Sequence, residues 1–379
     1  MNSSALSTKP IVLFDLRWVR SARLDGIGRY ALELLRALAR GDSARGYAAL
    51  YRDETIRESL FGDLEGTVPF VRVPHGLFSP TNAVALPRIL RREAIRFFVA
   101  PNYLGFPPGR TPGTVRIAAV HDLIPWEMPD ARGGNLKWQA FYRCAFAGRA
   151  LLRSYDRLVA VSERTREALV SRFGAEAERI SVVPGAPARH FTPSGEGDEA
   201  HLARLGLRAP FVLFVGRGDR HKNLARLVDA HRRLPGPLRE RYPLVLAGTD
   251  PGFGDLLVKA LARVTDAELA ALYRSAAYLV LPSLAEGFGL PLVEAFACGT
   301  PALVSRIAPL TEIGDDAARA FDPRNVEEIA RVLREALEDA AARETMRLAA
   351  LKRARSFAWE KSARLFAEML DEFRCHEFR

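Results

Sequence analysis

Apolar positions along this chain follow two alternating rhythms, and the alternation predicts repeated strand–helix units. Short apolar runs bounded by turn residues occupy 11–16, 97–100, 116–120, 157–161, 180–183, 211–215, 244–248, 277–281 and 301–304. Runs this short and this apolar suit parallel strands covered on both faces. Between them, apolar residues fall at helical spacing. Residues 30–39 place Leu32, Leu35, Leu38 and Ala39 near one face, 87–96 read as an arginine-bearing helix, and Ser162-Glu163-Arg164-Thr165 opens another with a capping residue. From Val326 onward the pattern is helical, and Phe357-Ala358-Trp359-Glu360 begins a final amphipathic helix.

The rhythm breaks at 190–201, which is rich in Pro, Gly and acids and reads as a linker. The predicted division is therefore residues 1–188, a linker over 189–204, a second domain over 205–355 and a terminal helix over 356–379. A chain of 379 residues is long for one core and sufficient for two.

The chemistry concentrates in residues 277–305, AYLVLPSLAEGFGLPLVEAFACGTPALVS. A strand to Leu281 ends at Pro282-Ser283. A loop carries Glu286-Gly287-Phe288-Gly289. Pro291 suits the first turn of a helix that stops at Gly299. Such a loop lies at the carboxyl end of a parallel strand, where open α/β sheets bind ligands. Gly287 and Gly289 permit close backbone approach, and the amides at the helix start attract an anion. Glu286 and Glu294 would repel a bare phosphate but accept hydrogen bonds from sugar hydroxyls. The pattern suits a ligand with both phosphate and sugars. It is equally open to a bland account, in which Glu294 complements the helix dipole and Glu286 is a solvated acid.

Other loops add candidates. Gly26-Ile27-Gly28 stands between a strand and a helix as a second possible anion site, or as a tight turn. His121-Asp122 is delivered by the end of the 116–120 strand. The 211–215 strand ends in Gly216-Arg217-Gly218-Asp219-Arg220-His221-Lys222-Asn223, where Arg217 and Lys222 supply cations for a diphosphate or form a plain basic loop.

These segments together resemble the retaining family 4 glycosyltransferases. The resemblance rests on the two glutamates eight positions apart around Gly287-Phe288-Gly289, the preceding Pro-Ser, the following Leu290-Pro291-Leu292-Val293, and the Cys298-Gly299-Thr300-Pro301 turn. It extends to the Arg217…Lys222-Asn223 segment and to His121-Asp122-Leu123-Ile124-Pro125. It implies the GT-B fold, two Rossmann-like domains with the last helix crossing back to the first. It implies a nucleotide sugar on the C-terminal domain and a glycan or lipid-diphosphate-linked acceptor on the N-terminal one. By the same resemblance Glu286 holds the transferred sugar, and Glu294 the ribose. His121 touches the sugar or a phosphate oxygen, and Arg217 and Lys222 clamp the diphosphate. The loop from Gly287 through Phe288 and Gly289 to Leu290 borders the donor, with Gly28 near the donor phosphates and acceptor. The segment at Val264-Thr265-Asp266 cradles the base, although the usual glycine is absent there. Thr311 also departs from the family, which has Pro at that place. The His121–Pro125 segment and the Lys222-Asn223-Leu224 turn look most like bacterial mannosyltransferases of polysaccharide assembly. GDP-mannose is the first expectation, with UDP- or dTDP-sugars behind it. A GT-B epimerase or phosphorylase is the alternative enzyme.

Composition changes this picture in three ways. The net charge is +10, and nearly all of the excess falls in residues 1–188. Arg88, Arg91, Arg92 and Arg96 lie within the predicted 87–96 helix, either as a solvated face, the commoner outcome for such a run, or as a contact with an anionic membrane. A non-enzymatic nucleic-acid binder is the competing account of the charge, but no nucleic-acid motif accompanies it. The three cysteines lack disulfide or zinc spacing, and the polar start and absence of a long apolar run indicate a cytoplasmic protein. No Asp-x-Asp occurs, so no cofactor and no metal are expected. The aromatic residues Trp138, Phe141, Tyr142 and Phe146 read as core more readily than as a membrane anchor.

Overall fold

The computed structural model describes residues 10–21, 24–42, 45–105, 108–128, 142, 144–250 and 256–375. The chain forms two compact units. One comprises Met1–Leu123, Phe141–Gly185 and Trp359–Arg379, the other Ile124–Ala140 and Ala186–Ala358.

The first unit is built on seven parallel strands: β1 (Pro10–Asp15), β2 (Gly46–Tyr51), β3 (Phe70–Arg72), β4 (Phe97–Ala100), β5 (Val115–Val120), β6 (Arg157–Ala160) and β7 (Ile180–Val182). They lie in the order β3-β2-β1-β4-β5-β6-β7. The second unit has β8 (Phe211–Val215), β9 (Leu244–Ala247), β10 (Val258–Leu261), β11 (Ala276–Leu281), β12 (Ala302–Ser305) and β13 (Ala318–Phe321), ordered β10-β9-β8-β11-β12-β13. Each sheet starts in its middle and winds outward both ways, so each has one reversal point: between β1 and β4, and between β8 and β11. This is the Rossmann-like, doubly wound arrangement that the sequence reading expects.

The central strands are mostly apolar because helices cover both faces; β4, β9 and β12 are buried at every position. In the second unit the helices Leu224–Arg232 and Val326–Glu338 lay Leu227, Val228, Leu333 and Leu337 against Val212, Phe214 and Leu246. Each such side chain contributes roughly 1.5–3 kcal/mol on burial.

Four strands are missing from the sequence reading: β2, β3, β10 and β13. The last three are short strands at sheet edges whose partly exposed positions admit Arg72, Lys259 and Arg319 and so break the apolar run. The alanines of β2 carry little strand preference.

Helix limits also move. The first helix is Gly26–Gly41, four residues earlier than expected, because Asp25 caps it. The helix expected at 87–96 is Asn82–Arg92, with Pro87 inside it. The chain then turns at Ala94 (φ +51°), and Arg96 donates to the Phe373 carbonyl at 3.1 Å. Arg88, Arg91 and Arg92 are exposed on the helix, whereas Arg96 is not part of that face.

The stretch read as a linker carries the helix Asp198–Arg204 and falls in the second unit, where Arg274 grips Asp198 at 2.6 and 2.7 Å. The last helix, Trp359–Cys375, returns to the first unit and packs Phe366 at a tilt against Phe14, with ring centres 5.8 Å apart. Of the aromatic stripe, Tyr142 is buried and Phe146 exposed, so it does not act as one face; Trp138 and Phe141 lie outside the described residues. No helix among the described residues is long and apolar enough to cross a membrane.

Candidate active site

The reversal point of the second sheet brings together the loops after β8 and β11. Two hydrogen bonds fix them against each other, and a third ties the β8 loop to the segment after β13. The Leu284 amide donates to the His221 carbonyl at 2.7 Å. The Asn223 amide group donates to the carbonyls of Pro282 at 2.9 Å and Pro323 at 2.7 Å. Asn223 holds a left-handed φ of +58°, a conformation that Asn and Gly tolerate best.

On this frame Lys222 Nζ meets Glu286 Oε1 at 2.6 Å, and Ser283 Oγ donates to the same oxygen at 2.7 Å. Both members of the ion pair are largely buried, with 17% and 9% of their side chains exposed. Burial alone would raise the Glu286 carboxyl. The Lys222 charge and the hydrogen bonds from Lys222 and Ser283 outweigh it and hold the group below its usual range. Glu286 is therefore an ionised acceptor, not a solvated loop acid. His221, beside this pair, is pushed down to about 4 by burial and by the neighbouring Lys222 charge. The positioning roles of Ser283 and Asn223 escape the sequence reading. The signal for Asn223 was present in the Lys-Asn dipeptide.

Arg217 stands outside the pair. It bonds Asp219 at 2.9 Å with 77% of its side chain exposed. Gly289 takes φ +99°, and a Cβ there would meet Leu310 Cδ2 at 2.8 Å. The helix Leu290–Ala297 that follows has no side-chain cap, which leaves its start to other partners. Gly287 lies in the loop ahead of it. The Phe288 ring is buried edge-on against Phe357 at 6.0 Å, so Phe288 anchors the loop through its side chain. Leu290 is the first helical residue. Glu294 sits one turn in and not in the first turn, which weakens the dipole account. It is buried and accepts from Tyr273 OH at 2.9 Å. Val264 is half-buried just before the helix Asp266–Ser275, whose start is closed by the reciprocal Thr265–Glu268 capping box.

In the first unit, His121 follows β5. Its Nε2 lies 2.9 Å from the Pro101 carbonyl, which only accepts, so Nε2 carries the proton. Burial pushes His121 down to about 4, more than the Pro101 bond raises it. His121 is thus neutral near pH 7 and presents Nδ1 as an acceptor. Tyr30 packs its ring edge-to-face on His121 at 5.0 Å and on Trp359 at 5.6 Å, and its hydroxyl donates to the Val183 carbonyl at 2.9 Å. Gly28 lies within the first turn of the Gly26–Gly41 helix rather than in a loop, and its amide is taken by Asp25 Oδ1 at 2.7 Å. That amide is engaged within the chain, which favours the tight-turn alternative at Gly28.

The sequence profile described as Glycosyltransferase Family 4 matches residues 24–186, and that described as Glycosyl transferases group 1 matches 203–353. Together they span both units. The chain belongs to the family 4 glycosyltransferases. It is 27% identical over 371 residues to the O-antigen chain mannosyltransferase B of Escherichia coli, covering 89% of this chain and 93% of that protein. It is 29% identical over 269 residues to the serotype-specific mannosyltransferase WbdA of Escherichia coli, covering 66% of this chain but 33% of that longer protein. The solved structure of WaaG, a glycosyltransferase involved in lipopolysaccharide biosynthesis, superposes with a TM-score of 0.72 at 18% identity, over 95% of this chain and 99% of that one. The two doubly wound units of this glycosyltransferase are those of the GT-B fold.

Proposed function

We propose that this glycosyltransferase moves mannose from GDP-mannose onto a growing cell-surface glycan, with retention at the anomeric carbon. The observation that carries the reading is the Lys222–Glu286 pair at the reversal point of the second sheet. A nucleotide sugar offers a diphosphate to the amine and a hydroxyl to the carboxylate at the same time. The bond from the anomeric carbon to the diphosphate oxygen breaks as the bond to the acceptor oxygen forms, and the acceptor proton leaves with the diphosphate. Lys222, Arg217 and the amides around Gly287–Leu290 stabilise the departing charge. Glu286 orients the sugar, Glu294 takes a ribose hydroxyl, and the Val264 segment borders the base. His121, neutral, accepts from a sugar hydroxyl at Nδ1.

Mannose is favoured because the relatives matched over 89% and 66% of this chain are named mannosyltransferases. Their names also favour a polysaccharide acceptor; we extend this to a lipid-diphosphate-linked glycan at an anionic cytoplasmic membrane surface. The exposed Arg88, Arg91 and Arg92 support that placement. No metal ion takes part in the reading. Among the described residues no group of three or more His, Cys, Asp or Glu side chains could hold one.

The test is a transfer assay with GDP-mannose, UDP-sugars and dTDP-rhamnose, with and without EDTA, and assignment of the product anomer by NMR. Transfer from GDP-mannose with retention, unaffected by EDTA, is expected. A preferred UDP donor would replace the sugar assignment. An inverted product would overturn the mechanism, and chelation-sensitive transfer would overturn the metal-free reading.

A further inference from the structure

The first unit holds a pocket that the roles above leave unused. It has a volume of about 280 Å³ and lies just beyond β1, beside the reversal point of the first sheet, with Trp18, Arg20, Leu24, Asp25 and Phe78 among its walls. Its aromatic walls are fixed from behind. Asp25 Oδ2 accepts from Trp18 Nε1 at 3.0 Å while its other oxygen caps the Gly26–Gly41 helix. The buried Arg17 is held by Asp15 at 2.6 and 2.8 Å, and donates to the His75 carbonyl and to Asn82 Oδ1, both at 2.9 Å. Asn82 in turn donates to the Gly76 and Leu77 carbonyls at 2.9 and 3.0 Å. These bonds pin the residues leading to Phe78, and so set its ring near the pocket.

Arg20 spans the two aromatics, with its guanidinium carbon 5.7 Å from the Trp18 ring centre and 5.9 Å from that of Phe78. Among the described residues it has no carboxylate partner. Arginine stacked on aromatic faces keeps its donor fork aimed outward for a phosphate or carboxylate. Phe78 is 43% exposed, so apolar ring surface remains accessible beside the Arg20 guanidinium. Flat aromatic faces meet the C–H face of a pyranose, and a pocket this size holds about one such ring.

We propose that this pocket is an acceptor subsite for a sugar residue bearing an anionic group, a phosphate or a carboxylate, which Arg20 binds. The proposal rests on the glycosyltransferase reading for its role as acceptor site, but its test is a binding measurement that needs no turnover. The full-length protein is titrated with mannose 6-phosphate, methyl glucuronide, methyl mannoside and inorganic phosphate, and followed by saturation-transfer NMR. Wild-type protein is expected to bind one or both charged sugars at least tenfold more tightly than methyl mannoside or inorganic phosphate. The tighter of the two identifies the anionic group. Arg20→Gln should remove that preference, and Phe78→Ala should weaken charged and neutral sugars alike. GDP binding should be unchanged in both variants, which separates this subsite from the donor site. Equal binding of charged and neutral sugars, binding of inorganic phosphate alone, or an unchanged preference in Arg20→Gln would each overturn the proposal. Failure of GDP-mannose turnover with the sugar preference intact would count against the proposed donor and leave the pocket assignment standing.

Discussion

Lys222 and Glu286 neutralise each other at 2.6 Å in a largely buried setting, and that makes their single and double substitutions informative. Lys222→Met leaves a buried carboxylate without its counter-charge, a loss of about 3–5 kcal/mol of stability by the usual penalty for a broken buried pair. Glu286→Gln keeps the shape, loses the charge and should lower kcat at least a hundredfold. The double variant should recover most of the stability in urea unfolding and none of the transfer activity. Recovery of activity in the double variant would show that the pair is structural. Tyr30 gives a second residue-scale test. It touches His121, Val183 and Trp359, each within two residues of a point where the chain passes between the units. Tyr30→Phe keeps the ring contacts and should keep kcat within a few fold. Tyr30→Leu frees the His121 ring and should lower kcat more than tenfold, with donor binding unchanged. Equal kcat in the two variants would remove Tyr30 from the positioning of His121. Glu286, Lys222 and Glu294 were legible in the sequence because their spacing around glycines is a motif. Tyr30, Asn82 and Ser283 were not, because their partners lie 153, 5 and 3 residues away at positions that no periodicity marks.

Elements were legible where burial forces composition. β4 and β8 have the limits that the apolar runs give, because every residue in these two covered strands is apolar. Helix starts moved wherever a local cap outweighed the periodic pattern, as Asp25 does ahead of Gly26. The helix Leu290–Ala297 is the element on which the site depends most, and glycines in left-handed conformations bound both its ends. Gly289→Ala places a methyl at φ +99° and 2.8 Å from Leu310 Cδ2, which must shift the helix start. Gly299→Ala imposes similar backbone strain at φ +78°, but its nearest neighbour is Leu351 at 3.4 Å. Each should cost on the order of 1–3 kcal/mol. Only Gly289→Ala should lower kcat, by tenfold or more, because only that end of the helix borders the proposed diphosphate site. Urea unfolding and steady-state kinetics on the pair check this, and equal kinetic losses would detach the helix start from catalysis.

At the scale of the whole molecule, charge and protonation are distributed between the units. The basic excess of the first unit predicts reversible docking on anionic vesicles, at about 1 kcal/mol per arginine near the surface and weakened by salt. Arg88→Gln, Arg91→Gln and Arg92→Gln combined should abolish co-sedimentation at low salt. Arg96→Gln should not, since Arg96 is engaged with Phe373; retained binding in the triple variant would move the docking face elsewhere. Protonation is symmetric where charge is not. His121 in the first unit and His221 in the second are both buried neutral, with folded values of about 4 against an unfolded value of 6.5. Between those limits the unfolded chain binds protons that the folded chain refuses. The stability of each unit is therefore full above pH 6.5 and is lost as pH falls toward 4, at up to about 1.4 kcal/mol per pH unit and about 3 kcal/mol in total for each histidine. Urea unfolding at pH 7.5 and pH 4.5 should show that loss. If the units unfold in separate steps, His121→Asn should flatten the pH dependence of one transition and His221→Asn that of the other. Unchanged slopes in both variants would mean that neither imidazole is held neutral by the fold, and the assignment of His121 Nδ1 as an uncharged acceptor would go with them.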